Sequence, residues 1–527
     1  MSISTSARTG EGRVDQVSHT NIRDGAQIKG PKYEVCAPHE YEVEDVEMYK
    51  PGGFHPVHLD TFVGDGDRYE YVHKLGQGGF ATVWLCRDHQ HNRWCALKTI
   101  ASSHSSEDSG ELEIKRLLGR NGIDQREAAA HHIILPSDHF WIQGPNGRHL
   151  ALVLPLLGPS LSTWLEFNGH KFDAKKKFCR QMTRAIDFLQ SQNVCHGDFR
   201  PQNILMKTRN LDDLTKDEIL DVLGGEPLAF GIRTLTGDDH RPHAPDYAVA
   251  PAHWPIEDKH ILVLEDIAIA DFGESFVPGN CKDFLGIPRA FAAPEVIFMS
   301  EPGLPSDIWS LGATILAVLG TSPFFNEVLD VTKALEEYLG PLPVKYRTNF
   351  EKLQNETLAG EHEYEKSRWQ DYIDMGDASP DDTPELKVFS LTESQRNNPS
   401  HPVSYSSVTE LEDERNDSLE GSGYSHPISI AINREKEIFF EKTDSRFDPE
   451  MIGRYKNSPA EVDMLTDLAL RIFRYDPIER ITTTEILRHQ CLRGKKEEAD
   501  TRITGALDIV QMMMPYIWCS WPYFDML

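Results

Sequence analysis

The sequence predicts an α+β protein of two lobes, a small β-rich lobe followed by a larger helical lobe. Between residues 69 and 100, apolar and polar residues alternate, and aromatic and β-branched side chains are frequent, which is typical of short strands. From residue 161 onward the apolar residues recur at helical spacing instead. The chain has 527 residues, of which 39% are hydrophobic, so it can bury a core large enough for both lobes.

The predicted elements follow one another in a clear order. Residues 69–100 predict three strands with a glycine-rich break after the first, and residues 109–120 predict a helix because leucines are spaced among charges. Residues 149–158 predict a buried strand that runs into a turn. The remaining helical patterns lie at residues 174–192, 305–320, 326–339 and 459–474.

Composition marks the segments around these elements. The first 45 residues are polar without periodicity, which favours disorder, and two later segments interrupt the helical pattern. The predicted organisation is a disordered N-terminal tail at 1–45, an ordered lead-in at 46–68, a first lobe at 69–157, a second lobe at 158–495 with inserts at about 207–262 and 351–430, and a C-terminal tail at 496–527.

Charge and cysteine usage narrow the function classes. The net charge is −29, which disfavours non-specific nucleic-acid binding and favours basic partners. Residues 351–420 alone hold 18 Asp and Glu against 6 Lys and Arg. The eight cysteines form no C-x-x-C pair, which argues against zinc ribbons and disulfide frameworks. The polar N-terminus lacks a signal-peptide core, and the most apolar stretch, Ile308–Gly320, is too short for a membrane span. We therefore expect a cytoplasmic or nuclear protein, or one found in both compartments.

Residues 76–81, Gly-Gln-Gly-Gly-Phe-Ala, form the first candidate site. A strand pattern follows the glycines, whereas a dinucleotide-binding turn leads into a helix. Strand, glycine turn and strand can form a flap over nucleotide phosphates, because backbone N–H groups approach the anion where a Cβ would obstruct. An ordinary glycine-rich hairpin would give the same pattern.

Lys98 ends an apolar, β-rich tetrapeptide and could present its ammonium to phosphate oxygens. Glu113 on the predicted helix could pair with Lys98 and hold it in place. Glu111 is an alternative partner, because the sequence does not define the helix register. A surface lysine and a solvated helix carboxylate are the simpler interpretations of these residues.

Residues 196–203, His-Gly-Asp-Phe-Arg-Pro-Gln-Asn, are more specific. Asp198 could accept a hydroxyl proton, and Asn203, five residues later, could hold a metal. Asp271 ends a short buried strand, where a carboxylate can bind Mg²⁺. Farther along, Glu295 and Arg480 could form a buried ion pair. Any one of these patterns arises by chance, but their joint occurrence in this order does not.

In these motifs the chain resembles the eukaryotic protein kinase family over about residues 69–492. Within that family it looks most like SR-protein kinases, especially the small fungal-type members. The supporting features are the sequence Pro-Gly-Gly-Phe-His-Pro-Val at 51–57, the phrase Phe-Ala-Thr-Val-Trp-Leu at 80–85, and the 68 positions from Asn203 to Asp271, a spacer that such kinases also carry.

The resemblance implies a serine/threonine protein kinase with a bilobal protein-kinase-like fold and with ATP and Mg²⁺ as cofactors. It implies Asp198 as the base, Arg200 beside the γ-phosphate, Lys98 on the phosphates with Glu113 orienting it, and Asn203 and Asp271 as metal ligands. The implied nucleotide-binding residues are Leu75, Gly76, Gln77, Gly78, Gly79, Phe80, Ala81, Val83, Ala96, Lys98, Leu154 and Leu157.

The chain departs from the family pattern at three positions. Gly197 replaces the usual arginine that receives an activation-loop phosphate, Arg200 replaces a lysine, and Pro288 or Ile287 stands where a threonine usually contacts the catalytic aspartate. These departures motivate an alternative, a catalytically weak or dead pseudokinase that acts as a scaffold. The expected partners are protein substrates, in particular basic Arg-Ser-rich ones, with no direct contact to nucleic acid or membrane, and the chain is expected to be a monomer.

Overall fold

The structure is a computed structural model that describes residues 32–38, 41–168, 172–254, 263–280, 285–319, 331–356, 426–433, 436–442, 445–455 and 457–493. The strands are β1 (Tyr33–Val35), β2 (Phe62–Val63), β3 (Tyr69–Gln77), β4 (Ala81–Asp88), β5 (Arg93–Ile100), β6 (Asp138–Gly144), β7 (Gly147–Pro155), β8 (Ile204–Thr208), β9 (Ala229–Thr234), β10 (Tyr247–Val249), β11 (Val263–Ile269), β12 (Lys436–Lys442) and β13 (Ser445–Tyr455).

The first eight helices are α1 (Gly110–Arg120), α2 (Gln125–Ala130), α3 (Leu161–Asn168), α4 (Phe172–Ser191), α5 (Lys216–Val222), α6 (Pro294–Met299), α7 (Leu304–Val318) and α8 (Val331–Leu339). Further helices lie at 344–356, Pro427–Asn433, Pro459–Ile472 and Thr483–Arg488. In the part of the chain that the structure describes, no helix is both long and apolar enough to cross a membrane.

The two-lobed α+β prediction is confirmed. Six antiparallel strands form the sheet of the first lobe in the order β2-β3-β4-β5-β7-β6. The predicted strands between residues 69 and 100 are β3, β4 and β5, and the predicted helix at 109–120 is α1. The second lobe is built on α4 and α7, which pack against each other. The helix Pro459–Ile472 packs on α7, and the helix Thr483–Arg488 packs on α4. Its core contains Phe178, Ile186 and Trp309, all fully buried.

The expectation of a disordered tail through residue 45 is wrong for its last part. Strand β1 pairs antiparallel with β9, with Tyr33 opposite Thr234 and Val35 opposite Ile232. Glu44 is buried and makes an ion pair with Lys74 of β3. Strand β1 is too short to show a periodic pattern of its own. It is defined by its partner strand β9, which lies about two hundred residues away in the sequence. Residues 1–31 lie outside the described residues.

The described part of the insert after β8, up to residue 254, packs on the first lobe. Ile219 and Leu220 of α5 lie in one buried cluster with Leu85 and Trp94 of the sheet. The Asp212 carboxylate also accepts a hydrogen bond from the Trp94 backbone N–H at 2.9 Å. In the sequence this insert lies within the second lobe. In the structure it packs on the β-rich lobe and connects that lobe to the end of β8.

Other predictions fall largely outside the described residues. This holds for the second insert between residues 357 and 425 and for the C-terminal tail from residue 496. The described edges of the second insert are helical, at 344–356 and Pro427–Asn433.

Candidate active site

The glycine-rich turn joins β3 to β4 at the edge of the cleft between the lobes. Gly76 and Gln77 are the last residues of β3, and the Gly78 N–H donates to the Ala81 carbonyl at 2.9 Å. A Cβ added to Gly76, Gly78 or Gly79 would meet no atom within 4 Å. Packing within the described residues therefore does not require these glycines, and the space beside the turn is open to a ligand.

Lys98 lies in the middle of β5, opposite Val83 of β4 and Leu152 of β7. Its Nζ donates to Glu111 Oε1 at 2.8 Å and to Asp271 Oδ1 at 2.7 Å. Burial alone would lower the pKa of Lys98, but the two carboxylates outweigh burial and raise it. The ammonium is therefore held charged at the mouth of the cleft, between one carboxylate from each lobe.

The predicted pairing of Lys98 with Glu113 is wrong, and the alternative partner, Glu111, is correct. Glu111 is the second residue of α1 and is buried, whereas Glu113 points about 200° further around the helix. Gly110 explains this register, because a Cβ there would collide with the Phe272 carbonyl oxygen. Only glycine lets the start of α1 approach the backbone that follows Asp271. A glycine immediately before the glutamate was the signal that sequence reasoning missed.

The loop at residues 196–203 is held in place by hydrogen bonds to Asp307 of α7. The Asp307 carboxylate accepts the N–H groups of His196 and Gly197 at 2.6 and 3.2 Å. Burial raises the pKa of Asp307 to about 6, although both hydrogen bonds oppose the shift. The two N–H groups are thus satisfied by a buried side chain, which fixes the loop backbone just before Asp198.

Gly197 has a structural reason of its own. Its φ is +80°, and an added Cβ would collide with the Glu274 carbonyl oxygen. Any other residue would therefore require the backbone after Asp271 to move. Glycine at position 197 therefore fits the backbone conformation that this loop adopts.

Asp198 is 8% exposed and held by two neighbours in the loop. Asn203 Nδ2 donates to Asp198 Oδ2 at 2.7 Å and to the Asp198 carbonyl oxygen at 2.8 Å. Arg200 Nε also donates to Oδ2, at 3.1 Å. The Arg200 Nε also lies 3.1 Å from the other oxygen, Oδ1, which is buried and has no hydrogen-bond partner within the described residues. Burial raises the pKa of Asp198 to about 6, against the opposing effects of Arg200 and Asn203.

Asp271 follows β11 and has a left-handed backbone with φ of +62°. Its side chain is 47% exposed to the cleft. The charge of Lys98 is the main cause that holds the pKa of Asp271 low, at about 2. The next residue, Phe272, is buried against His196 with the ring centroids 5.0 Å apart. A fixed backbone thus presents an ionised carboxylate next to Asn203 and Asp198.

The remaining predicted nucleotide contacts lie around the same cleft. Leu75 is near the end of β3, and Ala81 and Val83 begin β4. Ala96 of β5 is paired with Leu154 of β7, and Leu157 follows in the connection to α3. Phe80 at the tip of the glycine turn is exposed, and its ring packs against His104 with the centroids 4.2 Å apart.

The segment after Asp271 ends in the buried ion pair that the sequence predicted, and this prediction is confirmed. Arg480 NH1 and NH2 donate to Glu295 Oε1 and Oε2, each at 2.6 Å. Ser306 also donates to Glu295 Oε1 at 2.9 Å. Pro288 lies in the same segment, and its carbonyl oxygen accepts the N–H groups of Phe291 and Ala292.

This cleft brings together a lysine held by two carboxylates, a buried loop aspartate and a glycine-rich turn. A family model of the protein kinase domain matches residues 69–216. This part of the chain is therefore similar to protein kinase domains.

Curated proteins with similar sequences are protein kinases. The chain is 37% identical over 170 residues to SRSF protein kinase 3 of Homo sapiens, covering 31% of this chain and 30% of that protein. It is 34% identical over 170 residues to the serine/threonine-protein kinase spk-1 of Caenorhabditis briggsae, covering 31% and 15%. It is 32% identical over 206 residues to protein kinase dsk1 of Schizosaccharomyces pombe, covering 37% of each. The chain thus spans well under half the length of these relatives.

Proposed function

We propose that this chain is an active serine/threonine protein kinase that transfers the γ-phosphate of ATP to Ser or Thr hydroxyls. The observation that carries this proposal is the carboxylate of Asp198. Asn203 holds Oδ2, and the Arg200 Nε lies 3.1 Å from both oxygens. The other oxygen, Oδ1, has no hydrogen-bond partner within the described residues, and the pKa of the carboxyl is about 6. A carboxylate with these properties can orient a hydroxyl and accept its proton near neutral pH.

The cleft fits ATP and Mg²⁺. Its glycine turn has open space where a Cβ would stand, which suits close approach of phosphates. Asp271 offers a carboxylate kept ionised by Lys98. The side-chain nitrogen of Asn203, Nδ2, donates two hydrogen bonds to Asp198, so the side-chain oxygen Oδ1 remains to bind a cation. When bound, Mg²⁺ would neutralise charge that develops on the phosphates during transfer.

The remaining roles follow from position and charge. Lys98 would bind phosphate oxygens with Glu111 holding its ammonium in place. Arg200 would keep Asp198 ionised and remain close to the transferred group. Transfer of a phosphoryl group depends mainly on positioning and on charge stabilisation, so these few fixed groups suffice. The intact set of charged residues supports this function over a scaffold without activity.

We further propose that basic Arg-Ser-rich proteins are the substrates. The net charge of −29 favours cationic partners. One of the curated relatives is named an SRSF protein kinase. Both observations indicate a substrate in which the acceptor serine lies among arginines.

The test is phosphate transfer from labelled ATP with Mg²⁺ to three peptides, an Arg-Ser repeat, a Lys-Ser repeat and an acidic Ser peptide. We expect transfer to the Arg-Ser peptide alone and its loss in Asp198→Asn. A matched control is Asp213→Asn, which removes an aspartate from the insert and not from the cleft. Transfer to another peptide would keep the kinase activity and contradict the substrate class. ATP binding without transfer to any peptide would instead support the scaffold alternative.

A further inference from the structure

A second cavity lies behind the hinge that joins the lobes. Its volume is about 650 Å³, and it is bounded by the start of β5, by α2, by the hinge at 154–157 and by the residues that follow β8. None of Lys98, Asp198 or Asp271 lines it. The cavity shares Leu154 and Leu157 of the hinge with the predicted nucleotide site, but it contains none of the residues assigned above to the phosphates.

The floor of this cavity is apolar. Ile133 and Leu135 are buried side chains from the segment after α2, and Trp94 closes the floor from β5. Hinge residues Leu154 and Leu156 complete it. A cavity of this size and lining can accept two or three aliphatic side chains of a ligand.

The rim is cationic, in contrast with the rest of the chain. Arg93, Arg126, Lys207 and Arg209 line the cavity, against a single carboxylate, Asp212. That carboxylate already accepts the Trp94 N–H. A surplus of positive charge around one cavity is unexpected in a protein of net charge −29 and therefore requires an explanation.

The four cations differ in what they contact. Arg93 lies 3.2 Å from Asp88, and Lys207 lies 3.1 Å from Asp266, so both are paired within the protein. Arg126 and Arg209 are exposed, and within the described ranges neither makes a hydrogen bond or an ion pair. They come from different elements, since Arg126 lies in α2 and Arg209 directly follows β8.

We propose that this cavity is a docking site for an acidic peptide segment of a partner protein. The carboxylates of the segment would pair with Arg126 and Arg209, while Leu or Ile side chains between them would occupy the floor. A free phosphate or nucleotide would leave the apolar floor uncovered, whereas an uncharged apolar peptide would leave the two guanidiniums without a partner. Charge complementarity and the apolar floor together favour a peptide that carries both kinds of side chain.

The experiment measures binding of a fluorescent 12-residue peptide, in which Glu and Asp alternate with Leu, to the full chain by anisotropy. The test variant is Arg126→Glu with Arg209→Glu. The matched control is Arg120→Glu with Arg474→Glu, two exposed arginines outside the cavity that give the same change in net charge. A second test variant, Arg126→Lys with Arg209→Lys, keeps the charge and guards against an effect on folding.

We expect the affinity to fall about tenfold or more in the charge-reversed variant, to change less than about threefold in the control, and to be largely retained in the lysine variant. An equal loss of affinity in both charge-reversed variants would show that only the net charge of the protein matters, which would overturn the proposal. Equal binding of a peptide with Gln in place of its acids, or full competition by inorganic phosphate, would overturn it as well. Tighter binding of a peptide that copies residues 401–420 would assign the cavity to this chain's own acidic segment and overturn the partner proposal.

Phosphotransfer to a short Arg-Ser peptide is measured in the same variants. It should be unchanged, because neither arginine lies in the cleft. The two proposals can therefore fail separately. Loss of peptide docking with normal phosphotransfer concerns the cavity, and loss of phosphotransfer with normal docking concerns the cleft.

Discussion

The protein contains two charge networks that resemble each other in composition but differ in exposure. Arg480 and Glu295 form a closed pair in which the side chains are 1% and 6% exposed and both oxygens are bound. Lys98 is shared between Glu111 and Asp271, and Asp271 is 47% exposed. The closed pair can do nothing more than hold two segments together, whereas the open one can exchange a protein carboxylate for a ligand oxygen.

The difference shows how the same kinds of residue become structural or functional. A buried pair that loses one partner leaves an uncompensated charge in the core, so its loss affects stability. An open cluster that loses a member can be compensated by water, so its loss affects mainly what binds in the cleft. The predictions below test this distinction.

The largest effect is expected on stability, when the ion pair of Glu295 and Arg480 is broken. Glu295→Gln leaves the Arg480 guanidinium buried without a counter-charge, and we expect the free energy of unfolding to fall by about 3–5 kcal/mol. Urea unfolding followed by tryptophan fluorescence measures this. Glu301→Gln, an exposed carboxylate six residues later, is the control and should change stability by less than about 0.5 kcal/mol. A small loss in Glu295→Gln would show that the pair is not structural.

Lys98→Met tests the open cluster. We expect kcat/KM for phosphate transfer to fall about 10²- to 10³-fold, since a positioned donor to the phosphates is removed. The unfolding free energy should change far less than in Glu295→Gln. Lys50→Met, at an exposed position outside the cleft, controls for the loss of a lysine. If Lys98→Met unfolded the protein but left the residual activity of the folded fraction unchanged, the two networks would not differ as described.

Glu111→Gln and Glu113→Gln form a matched pair on one helix. Glu111 contacts Lys98, and Glu113 makes no such contact, so only Glu111→Gln should lower kcat/KM, by about tenfold. Steady-state kinetics with varied ATP would show the effect. Equal losses in both variants would mean that the helix, and not the specific ion pair, sets the position of Lys98.

The smallest effect concerns pH. Because Asp198 must be ionised to accept a proton and its pKa is about 6, kcat/KM should be flat above pH 7 and fall to half near pH 6. In Arg200→Gln the midpoint should move to higher pH, because the guanidinium helps to keep the carboxylate ionised. A midpoint below pH 4.5 in the unaltered chain would contradict the role of burial at Asp198.

Local sequence predicted strands β3, β4, β5 and β7 of the first sheet and, in the second lobe, the helices α4, α7, α8 and Pro459–Ile472. Strands such as Ala81–Asp88 carry their own alternation, and helix Pro459–Ile472 carries its own periodicity, so no distant partner is needed to recognise them. The residues of the cleft were also recognisable, because phosphate chemistry requires particular side chains at particular spacings.

The failures have a common physical cause. Strand Tyr33–Val35 is defined by its partner in the insert, and the register of Glu111 by a backbone contact with Phe272. Both depend on contacts between segments distant in sequence. The cationic cavity behind the hinge also escaped prediction, because its arginines come from elements that only the fold brings together.

The pairing of β1 with β9 also bears on how the chain folds during synthesis. Tyr33 is opposite Thr234, so this strand leaves the ribosome long before its partner does. At roughly 5–20 residues per second, the delay is on the order of 10–40 seconds. The three strands β3, β4 and β5 can pair early, but the N-terminal strand must wait. A nascent chain stalled before residue 229 should therefore show that strand accessible to protease, and one stalled well beyond residue 249 should show it protected.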